Sequence, residues 1–352
     1  MQKGGSDSIK TITSVELAKL AGVSQSTVSR CLNDSPLVSD ETKARVKKIA
    51  EENAFQFNTN ARGLRTNRTG VVGYIFSKDF TGFANHYIQS DLYYRIRLRL
   101  LDHNLDLVPV FDTTDIDGVN SIEKSIVNRR FDALIFNRQG VSRRVKELLE
   151  ETNLPYIFIY DTDEQTEELS VIAPRHSQIG YLVGETFCQK GYMNFVELTG
   201  PSQRIDVINK HNGFVKALTE HGHELPTNNI LCADYNLERA QEVTEAHIEL
   251  FTPGTAIFAQ NDLMALGVLE MLKQHKLRIP EDIALIGADN IVMGRWFHPQ
   301  LTTVAIDYDQ IIALTEKWIV GATGKHAPKE FRHFLNGRLL VRDTFKLSLI
   351  HI

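Results

Sequence analysis

The sequence predicts a small all-helical domain, a short linker and then two α/β subdomains. Three features of the 352 residues support this fold class. Residues 11–56 contain three short segments with helical periodicity, whereas residues 57–69 are polar and basic with almost no apolar stripe. After Thr69, short apolar strands alternate with helical segments, which is typical of parallel sheets covered on both faces.

The three amino-terminal helices have recognisable start and stop signals. Thr13 and Glu16 have the spacing of a capping box, which predicts a helix that ends at Gly22. Ser24 is placed to cap the second helix, and the third helix is predicted to begin near Ser39. In the second and third helices, the residues expected to face the core of the domain are Val28, Leu32, Ala44, Val46, Ile49 and Ala50.

The rest of the chain contains enough strands for two sheets. The apolar runs are "VVGYIF", "LDLVPVF", "DALIFN", "YIFIY", "NFVELTG", "TAIFAQ" and "IALIGAD". We therefore predict a helical head over residues 1–56, a hinge over 57–69 and a two-lobed body over 70–352. The chain is expected to pass between the lobes near residues 170, 300 and 330.

Charge is unevenly distributed between the head and the body. Residues 1–69 contain 11 Lys/Arg and 7 Asp/Glu, whereas the remaining residues contain 28 and 37. A basic head on an acidic body predicts a polyanionic partner for the head alone. No apolar run is long enough for a membrane span, and the first ten residues lack a secretory signal. The three scattered cysteines predict neither disulfides nor a zinc site, which fits a cytoplasmic protein associated with the nucleoid.

The second predicted helix, in "GVSQSTVSRCLN", is unusually polar. A helix, a turn with glycine and a second helix with an exposed polar face form a helix-turn-helix. In the DNA major groove, glutamine recognises adenine, arginine recognises guanine, and serine or threonine contacts bases or phosphates. The pattern alone leaves a generic helical hairpin as the alternative.

The motifs of this segment resemble those of the lactose/galactose-repressor family of bacterial transcription regulators. "AGVSQSTVSR", "VSDETKARV" and "NTNARGLRT" occur in the family's order and spacing. The resemblance implies base contacts from Gln25, Ser26 and Arg30. The phosphate contacts that it implies are Thr13, Ser24, Thr27, Ser29 and Asn33.

The same resemblance implies a role for the hinge. In this family the segment that matches residues 58–66 becomes helical on the operator, and its leucine wedges into the minor groove. Here that leucine is Leu64, with Asn58 and Ala61 beside it. A helix of about nine residues is marginal in water, and Gly63 costs it about 1 kcal/mol relative to alanine, so its helicity must come from a partner. A plain flexible linker is the alternative.

The body resembles periplasmic sugar-binding proteins of type 1, which implies a ligand between two lobes at the carboxyl ends of the strands. In the blocks "FAQNDLMALG" and "DIALIGADN", Asp289 matches an effector-binding aspartate and Asn261 a second polar contact, although Asn261 would also suit a structural turn. Arg204 and Tyr235 match an effector arginine and a stacking aromatic residue. Weaker candidates are Phe80, Phe83, Asn137 and Asp161.

Departures from the family pattern predict that the ligand pocket has a different specificity from the pockets of its relatives. The chain has Pro174 and Arg175 where many relatives have Asp-Asn, and "FTGFAN" replaces an Asn-Pro-aromatic loop. Arg175, Arg204 and Lys210 would suit an anionic sugar derivative.

Other motifs do not support catalysis or metal binding. "GATGKHAP" lacks the residues of a phosphate-binding loop, "EHGHE" is typical of a solvated turn, and no nucleophile elbow occurs. We therefore expect no catalytic residues, metal or cofactor. The resemblance predicts a homodimeric repressor that binds a pseudo-palindromic double-stranded operator and a sugar or sugar acid. The alternative is a sugar-metabolising enzyme with a regulatory DNA-binding head.

Overall fold

The computed structural model contains two compact units, divided between Thr69 and Gly70. The structure describes residues 12–32, 35–53, 55, 68–76, 80, 82, 86–114, 116, 118–137, 140–160, 166–168, 170–324, 328 and 330–346. The domain boundary predicted between residues 56 and 57 falls among residues outside these ranges and stays a prediction.

The first unit contains three helices, α1 (Ser14–Ala21), α2 (Gln25–Leu32) and α3 (Asp40–Glu52). The capping box at the start of α1 is confirmed, because the backbone N–H and side chain of Thr13 both pair with Glu16. Gly22 ends α1 with a φ of 64°, a left-handed conformation that favours glycine. The Ser24 hydroxyl accepts the N–H of Thr27, and Ser39 caps α3 in the same way. These local signals position α2 against α1.

A small apolar core holds the three helices together. Its buried members are Leu17, Ala18, Ala21, Val28, Cys31, Val46 and Ala50. Val46 and Ala50 are buried as predicted, but the expectation for Ala44 is wrong because Ala44 is exposed. In a helix, Ala44 lies about 160° around the axis from Val46, and α3 buries only one stripe.

The second unit consists of two α/β lobes. Its strands are β1 (Val71–Phe76), β2 (Asp106–Phe111), β3 (Ala133–Asn137), β4 (Tyr156–Ile159), β5 (Ser170–Pro174), β6 (Asn194–Thr199), β7 (Ile230–Cys232), β8 (Thr255–Ala259), β9 (Ala284–Ala288), β10 (Thr302–Ala305), β11 (Phe331–Leu335) and β12 (Arg338–Leu340). Its helices are α4 (Tyr87–Leu101), α5 (Ser121–Val127), α6 (Arg143–Thr152), α7 (His176–Gln189), α8 (Ile205–Glu220), α9 (Leu237–Ala246), α10 (Asp262–Gln274) and α11 (Tyr308–Ala322). Among the residues described, no helix is both long and apolar enough to span a bilayer.

Each lobe is built around one six-stranded sheet. Lobe 1 has the order β11-β5-β4-β3-β1-β2 and is entirely parallel. Lobe 2 has the order β12-β10-β9-β8-β6-β7, with only β12 antiparallel. The chain therefore passes between the lobes after β5, after β10 and between β11 and β12. Each passage lies a few residues beyond the predicted position.

Two glycines allow α7 and α8 to pack with their backbones in contact. A Cβ on Gly180 would lie 1.8 Å from the carbonyl oxygen of Lys210, and one on Gly213 would lie 1.9 Å from that of Ser177. Only glycine fits such a close approach. This packing fixes α8, which carries two of the charged residues that line the space between the lobes.

Candidate DNA-binding and ligand-binding sites

The exposed face of α2 is polar and continuous. At about 100° per residue, Gln25, Ser29, Ser26 and Arg30 occupy an arc of about 140°. Gln25, Ser26 and Arg30 are exposed and Ser29 is half-buried, whereas the opposite side of α2 lies in the core. The side chains predicted to read bases therefore share one surface.

Hydroxyl groups cluster at the beginning of α2. The Ser24 Oγ atom lies 2.8 Å from the hydroxyls of both Ser26 and Thr27. The Gln25 amide donates to the hydroxyl of Ser14 at 2.9 Å, which ties the beginnings of α1 and α2 together. Backbone N–H groups and hydroxyls at a helix beginning are suited to phosphate oxygens.

Several predicted site residues lie outside the described residues. For the DNA-binding site these are Asn33, Asn58, Ala61 and Leu64, and for the ligand-binding site Phe83 and Asp161.

A cavity of about 410 Å³ lies between the two lobes, at the carboxyl ends of the strands. Lobe 1 contributes His86, Tyr87, Ile88, Gln89 and Tyr160 to its wall. Lobe 2 contributes Pro201, Gln203, Arg204, Asp206, Lys210, Asp234, Tyr235, Asn236, Asn261, Leu263, Asp289 and Ile291. The volume and the mixture of polar and apolar groups are those of a small-molecule site.

Asp206 is the centre of a charge cluster on the lobe 2 wall. Its carboxylate accepts from the Arg204 Nε at 3.0 Å, lies 3.5 Å from the Lys210 Nζ and accepts from the Tyr235 hydroxyl. Burial raises the pKa of Asp206, but the charges of Arg204 and Lys210 outweigh it and hold that pKa well below the ordinary value. Asp206 is therefore ionised at neutral pH.

Lys210 is almost completely buried beneath this cluster, with 2% of its side chain exposed. Besides its ion pair with Asp206, its ammonium group donates to the Tyr235 hydroxyl at 3.3 Å and to the Gln260 carbonyl oxygen at 3.2 Å. Two hydrogen bonds and one ion pair therefore hold the buried ammonium group in place. Lys210 thus positions the wall of the cavity.

Asp289 follows β9 and lies on the same cavity. Its Oδ1 atom accepts from the hydroxyls of Tyr308 at 3.1 Å and Tyr160 at 3.4 Å. Burial raises the pKa of Asp289 to about 6, against the lowering effect of the Lys210 charge. The Asp289 carboxylate is consequently less stable in its charged form than an exposed aspartate.

Backbone strain is concentrated at the cavity. Tyr160, Asp234, Tyr235 and Asp289 have φ angles of 63°, 51°, 59° and 109°. Such conformations are unusual for residues with a Cβ, and they recur at binding sites where the surrounding structure enforces them.

Four of the predicted ligand residues, Arg204, Tyr235, Asn261 and Asp289, line the cavity together. Asn261 also caps α10, because its side chain accepts the N–H of Met264 at 2.9 Å. The structural and the cavity-facing alternatives for Asn261 therefore hold at the same time.

The expectations for Asn137 and Phe80 are not supported, because neither residue lines the cavity. The buried Asn137 amide donates to the Tyr74 hydroxyl at 2.6 Å, behind the wall. The Phe80 ring stacks against His86, with ring centroids 4.9 Å apart. His86, and not Phe80, lines the cavity. Arg175 also points elsewhere, with its guanidinium carbon 5.7 Å from the centre of the Phe334 ring.

The sequence prediction missed Asp206, Tyr160 and Gln89. Asp206 lies one helical turn before Lys210, and this spacing would have predicted an ion pair. Tyr160 is the residue immediately after β4, so strand-end position alone would have suggested it. Gln89 lies within a helix, and no local pattern distinguishes it.

The fold and these sites define a protein with a helix-turn-helix unit and a separate two-lobed ligand-binding unit. Residues 13–58 match the family model for bacterial regulatory proteins of the lacI family, and residues 184–345 match the periplasmic binding protein-like domain. The chain therefore combines a lacI-family helix-turn-helix domain with a periplasmic binding protein-like domain, as the resemblance predicted. It is a DNA-binding transcriptional regulator with the predicted fold class.

Relatives along the whole chain support this assignment. The probable HTH-type transcriptional repressor ExuR of Bacillus subtilis (strain 168) is 25% identical over 337 residues, covering 95% of this chain and 98% of ExuR. The repressor PurR of Aliivibrio salmonicida (strain LFI1238) is 27% identical over 290 residues, covering 82% and 85%.

Solved structures share the fold. The Lac repressor dimer bound to operator and the anti-inducer ONPF has a TM-score of 0.80 at 23% identity, over 95% of this chain and 99% of that one. The complex of the regulator CelR with cellobiose has a TM-score of 0.67 at 21% identity, over 95% and 100%.

Proposed function

We propose that this protein represses transcription by reading operator DNA with α2, under the control of a small molecule bound between the lobes. The observation that supports the proposal is that one chain contains two distinct surfaces suited to binding. One is the exposed polar arc of α2, and the other is a charged, strained cavity between two lobes.

The DNA contacts proposed for α2 are of two kinds. Gln25, Ser26 and Arg30 read bases, because they lie on the exposed arc and carry the groups that recognise base edges. Thr13, Ser24 and Thr27 near the helix beginnings, together with Ser29 and Asn33, fix the position on the phosphate backbone. The hinge residues Asn58, Ala61 and Leu64 complete the interface in the central minor groove.

The base-reading assignment is tested by measuring affinity at fixed salt on duplexes selected from a random pool. Arg30→Ala should cost about 1–3 kcal/mol and relax the preference at one guanine. Arg45→Ala is the matched control, because it removes the same charge from an exposed position on α3. It should leave the base preference unchanged. An Arg30→Ala protein with the wild-type preference at every position would refute the assignment.

The ligand is proposed to be a sugar or a sugar acid. Asp289 and Asn261 offer hydrogen-bond acceptors, Arg204 offers a cation, and the Tyr235 ring provides an aromatic surface on the same wall. A thermal-shift screen of neutral sugars, sugar acids and sugar phosphates identifies the class. A compound that stabilises the wild type should lose its effect in Asp289→Ala if it binds in the cavity.

We also propose that the protein acts as a homodimer on a pseudo-palindromic operator. Tyr94, Leu98 and Leu101 lie on one face of α4 and are 57%, 44% and 47% exposed. Covering this stripe with a second copy removes it from water. Leu98→Asp should therefore shift the sedimentation coefficient towards that of a monomer, whereas Val127→Asp, at another exposed apolar position, should not.

Regulation then follows from linkage between the two sites. A dimer places two heads in successive major grooves, and ligand that changes the angle between the lobes changes the spacing of the two hinges. The ligand must alter operator affinity by the same factor by which operator alters ligand affinity. Turnover of the bound sugar would instead favour the enzyme alternative, whereas the named relatives are transcriptional repressors.

A further inference from the structure

One carboxylate oxygen of lobe 2 receives two phenol hydroxyls from lobe 1. Asp289 follows β9 of lobe 2, Tyr160 follows β4 of lobe 1, and Tyr308 begins α11, which packs on lobe 1. Both hydroxyls donate to the Asp289 Oδ1, at 3.4 Å from Tyr160 and 3.1 Å from Tyr308. Both distances exceed the 2.5–3.0 Å of a good hydroxyl–carboxylate hydrogen bond. The two hydrogen bonds would therefore become shorter and stronger if the lobes moved closer together.

The two tyrosines also lie next to the passages of the chain between the lobes. The carbonyl oxygen of Tyr160 is 3.1 Å from the Nε2 of His176, which begins α7 directly after the first passage. Burial lowers the pKa of His176 to about 4, so a neutral imidazole donates this bond at physiological pH. Tyr308 directly follows the second passage. Movement of one lobe therefore acts on the phenol groups and on the connecting segments together.

Asp289 and Tyr160 are both part of the cavity wall. A ligand group that hydrogen-bonds to the Asp289 carboxylate therefore meets the same group that receives the two phenols. A carboxylate has four lone-pair positions, so ligand and tyrosines can share it, but each new donor changes the strength of the others.

We propose that Tyr160 and Tyr308 are positioning residues that make Asp289 a hydrogen-bonded bridge between the lobes, through which a bound ligand sets the angle between them. The inference rests on the proposed function only in placing the ligand in this cavity. The bridge consists only of side chains of this chain, so its effect on lobe closure is measurable independently of any ligand.

The test compares Tyr160→Phe, Tyr308→Phe and the double variant, each of which removes only hydroxyl oxygens. Tyr156→Phe is the matched control, because that hydroxyl donates to a Glu168 carboxylate at 3.1 Å within lobe 1. Loss of one hydrogen bond to a charged group changes an equilibrium about tenfold. The ratio of open to closed lobes should rise by about that factor in each single variant and further in the double variant.

Single-molecule fluorescence transfer reports the lobe angle directly. Dyes attached through non-natural amino acids at Val127 in lobe 1 and Met193 in lobe 2 use positions that are 61% and 72% exposed. The labelled full chain is diluted into unlabelled protein, so that transfer arises within one chain. The double variant should populate a low-transfer state, and the control should match the wild type. Circular dichroism and urea midpoints verify that all variants fold.

A second arm adds the compound found in the thermal-shift screen. It should shift the transfer distribution of the wild type and of Tyr156→Phe, and should shift that of the double variant much less. If the double variant has the wild-type distribution in the first arm, the bridge does not hold the lobes and the inference is overturned. If the first arm succeeds and no sugar binds, the ligand assignment fails while the bridge stands.

Discussion

Replacing Asp289 with asparagine should stabilise the body of this protein at neutral pH and leave its stability unchanged near pH 4. The Asp289 carboxyl is buried, and its pKa is raised from 3.8 to about 6. A raised pKa of an acid means that folding favours the neutral form. Asparagine keeps an acceptor oxygen for Tyr160 and Tyr308 and removes the buried charge.

The magnitude follows from linkage. Below pH 3.8 the carboxyl is neutral in both the folded and the unfolded chain, so it adds no pH dependence. Between pH 3.8 and about 6 only the unfolded chain loses the proton, and the free energy of unfolding falls as pH rises. Above pH 6 the full cost of about 3 kcal/mol is present. Asp289→Asn should recover it.

Urea unfolding at a fixed protein concentration measures the effect. Both tryptophans, Trp296 and Trp318, lie in the second unit, so their fluorescence follows the body without a signal from the head. The advantage of Asp289→Asn over the wild type should grow by about 3 kcal/mol between pH 4 and pH 7.5, or roughly 1 M in the urea midpoint. A constant difference across this range would refute the reasoning.

Asp206→Asn is the control with the opposite sign. The cations beside Asp206 hold its pKa below the ordinary value, so its ionised form stabilises the fold at neutral pH and is lost on acidification. The substitution also leaves Arg204 and Lys210 without their shared partner, which costs about 3–5 kcal/mol. If Asp206→Asn and Asp289→Asn both raised the free energy of unfolding at pH 7.5, this electrostatic description of the cavity would be wrong.

Two further predictions concern packing. Val28→Ala opens a cavity in the small head core and should destabilise the head by about 2 kcal/mol. The fully buried Cys31 thiol should then react about thirty times faster with a thiol reagent. The reaction is measured in a chain in which Cys188 and Cys232 are replaced by serine, so that only Cys31 reacts. Gly180→Ala places a Cβ 1.8 Å from the Lys210 carbonyl oxygen, so α7 and α8 must separate, and the urea midpoint of the body should fall by more than that of a typical core substitution.

The head could be predicted well because its signals are local. The capping box of Thr13 and Glu16, the break at Gly22 and the cap at Ser39 each depend on residues within four positions. The burial of Cys31 follows from its place opposite the polar arc. Ala44 was misplaced because small residues tolerate either side of a helix, and only tertiary packing decides between them.

The cavity wall was harder to predict, because it depends on which way a side chain points after its strand ends. Arg204, Tyr235 and Asp289 reach the cavity, but Asn137, also at a strand end, turns towards Tyr74 inside lobe 1. The hydroxyl that attracts the Asn137 amide comes from a different strand, and no spacing in the sequence indicates this neighbour.

Charge balance in the cavity leads to a last prediction about the ligand. Among the cavity-lining residues described, the little-exposed charged groups are the cations of Arg204 and Lys210 and the carboxylates of Asp206 and Asp289. The two pairs cancel when Asp289 is ionised, so a sugar acid adds an uncompensated negative charge beside Asp289. Binding of a sugar acid should therefore raise the pKa of Asp289 further and take up a fraction of a proton near neutral pH, whereas a neutral sugar should take up none.

Calorimetry in two buffers of different ionisation enthalpy separates these cases, because proton uptake makes the binding enthalpy depend on the buffer. Asp289→Asn is the control, since its side chain has no proton to gain. If a sugar acid bound the wild type with the same enthalpy in both buffers, no proton would be taken up. Arg204 and Lys210 would then do more than neutralise Asp206 and Asp289. In that case Arg204, at the edge of the cluster, would have to exchange its contact with Asp206 for one with the ligand.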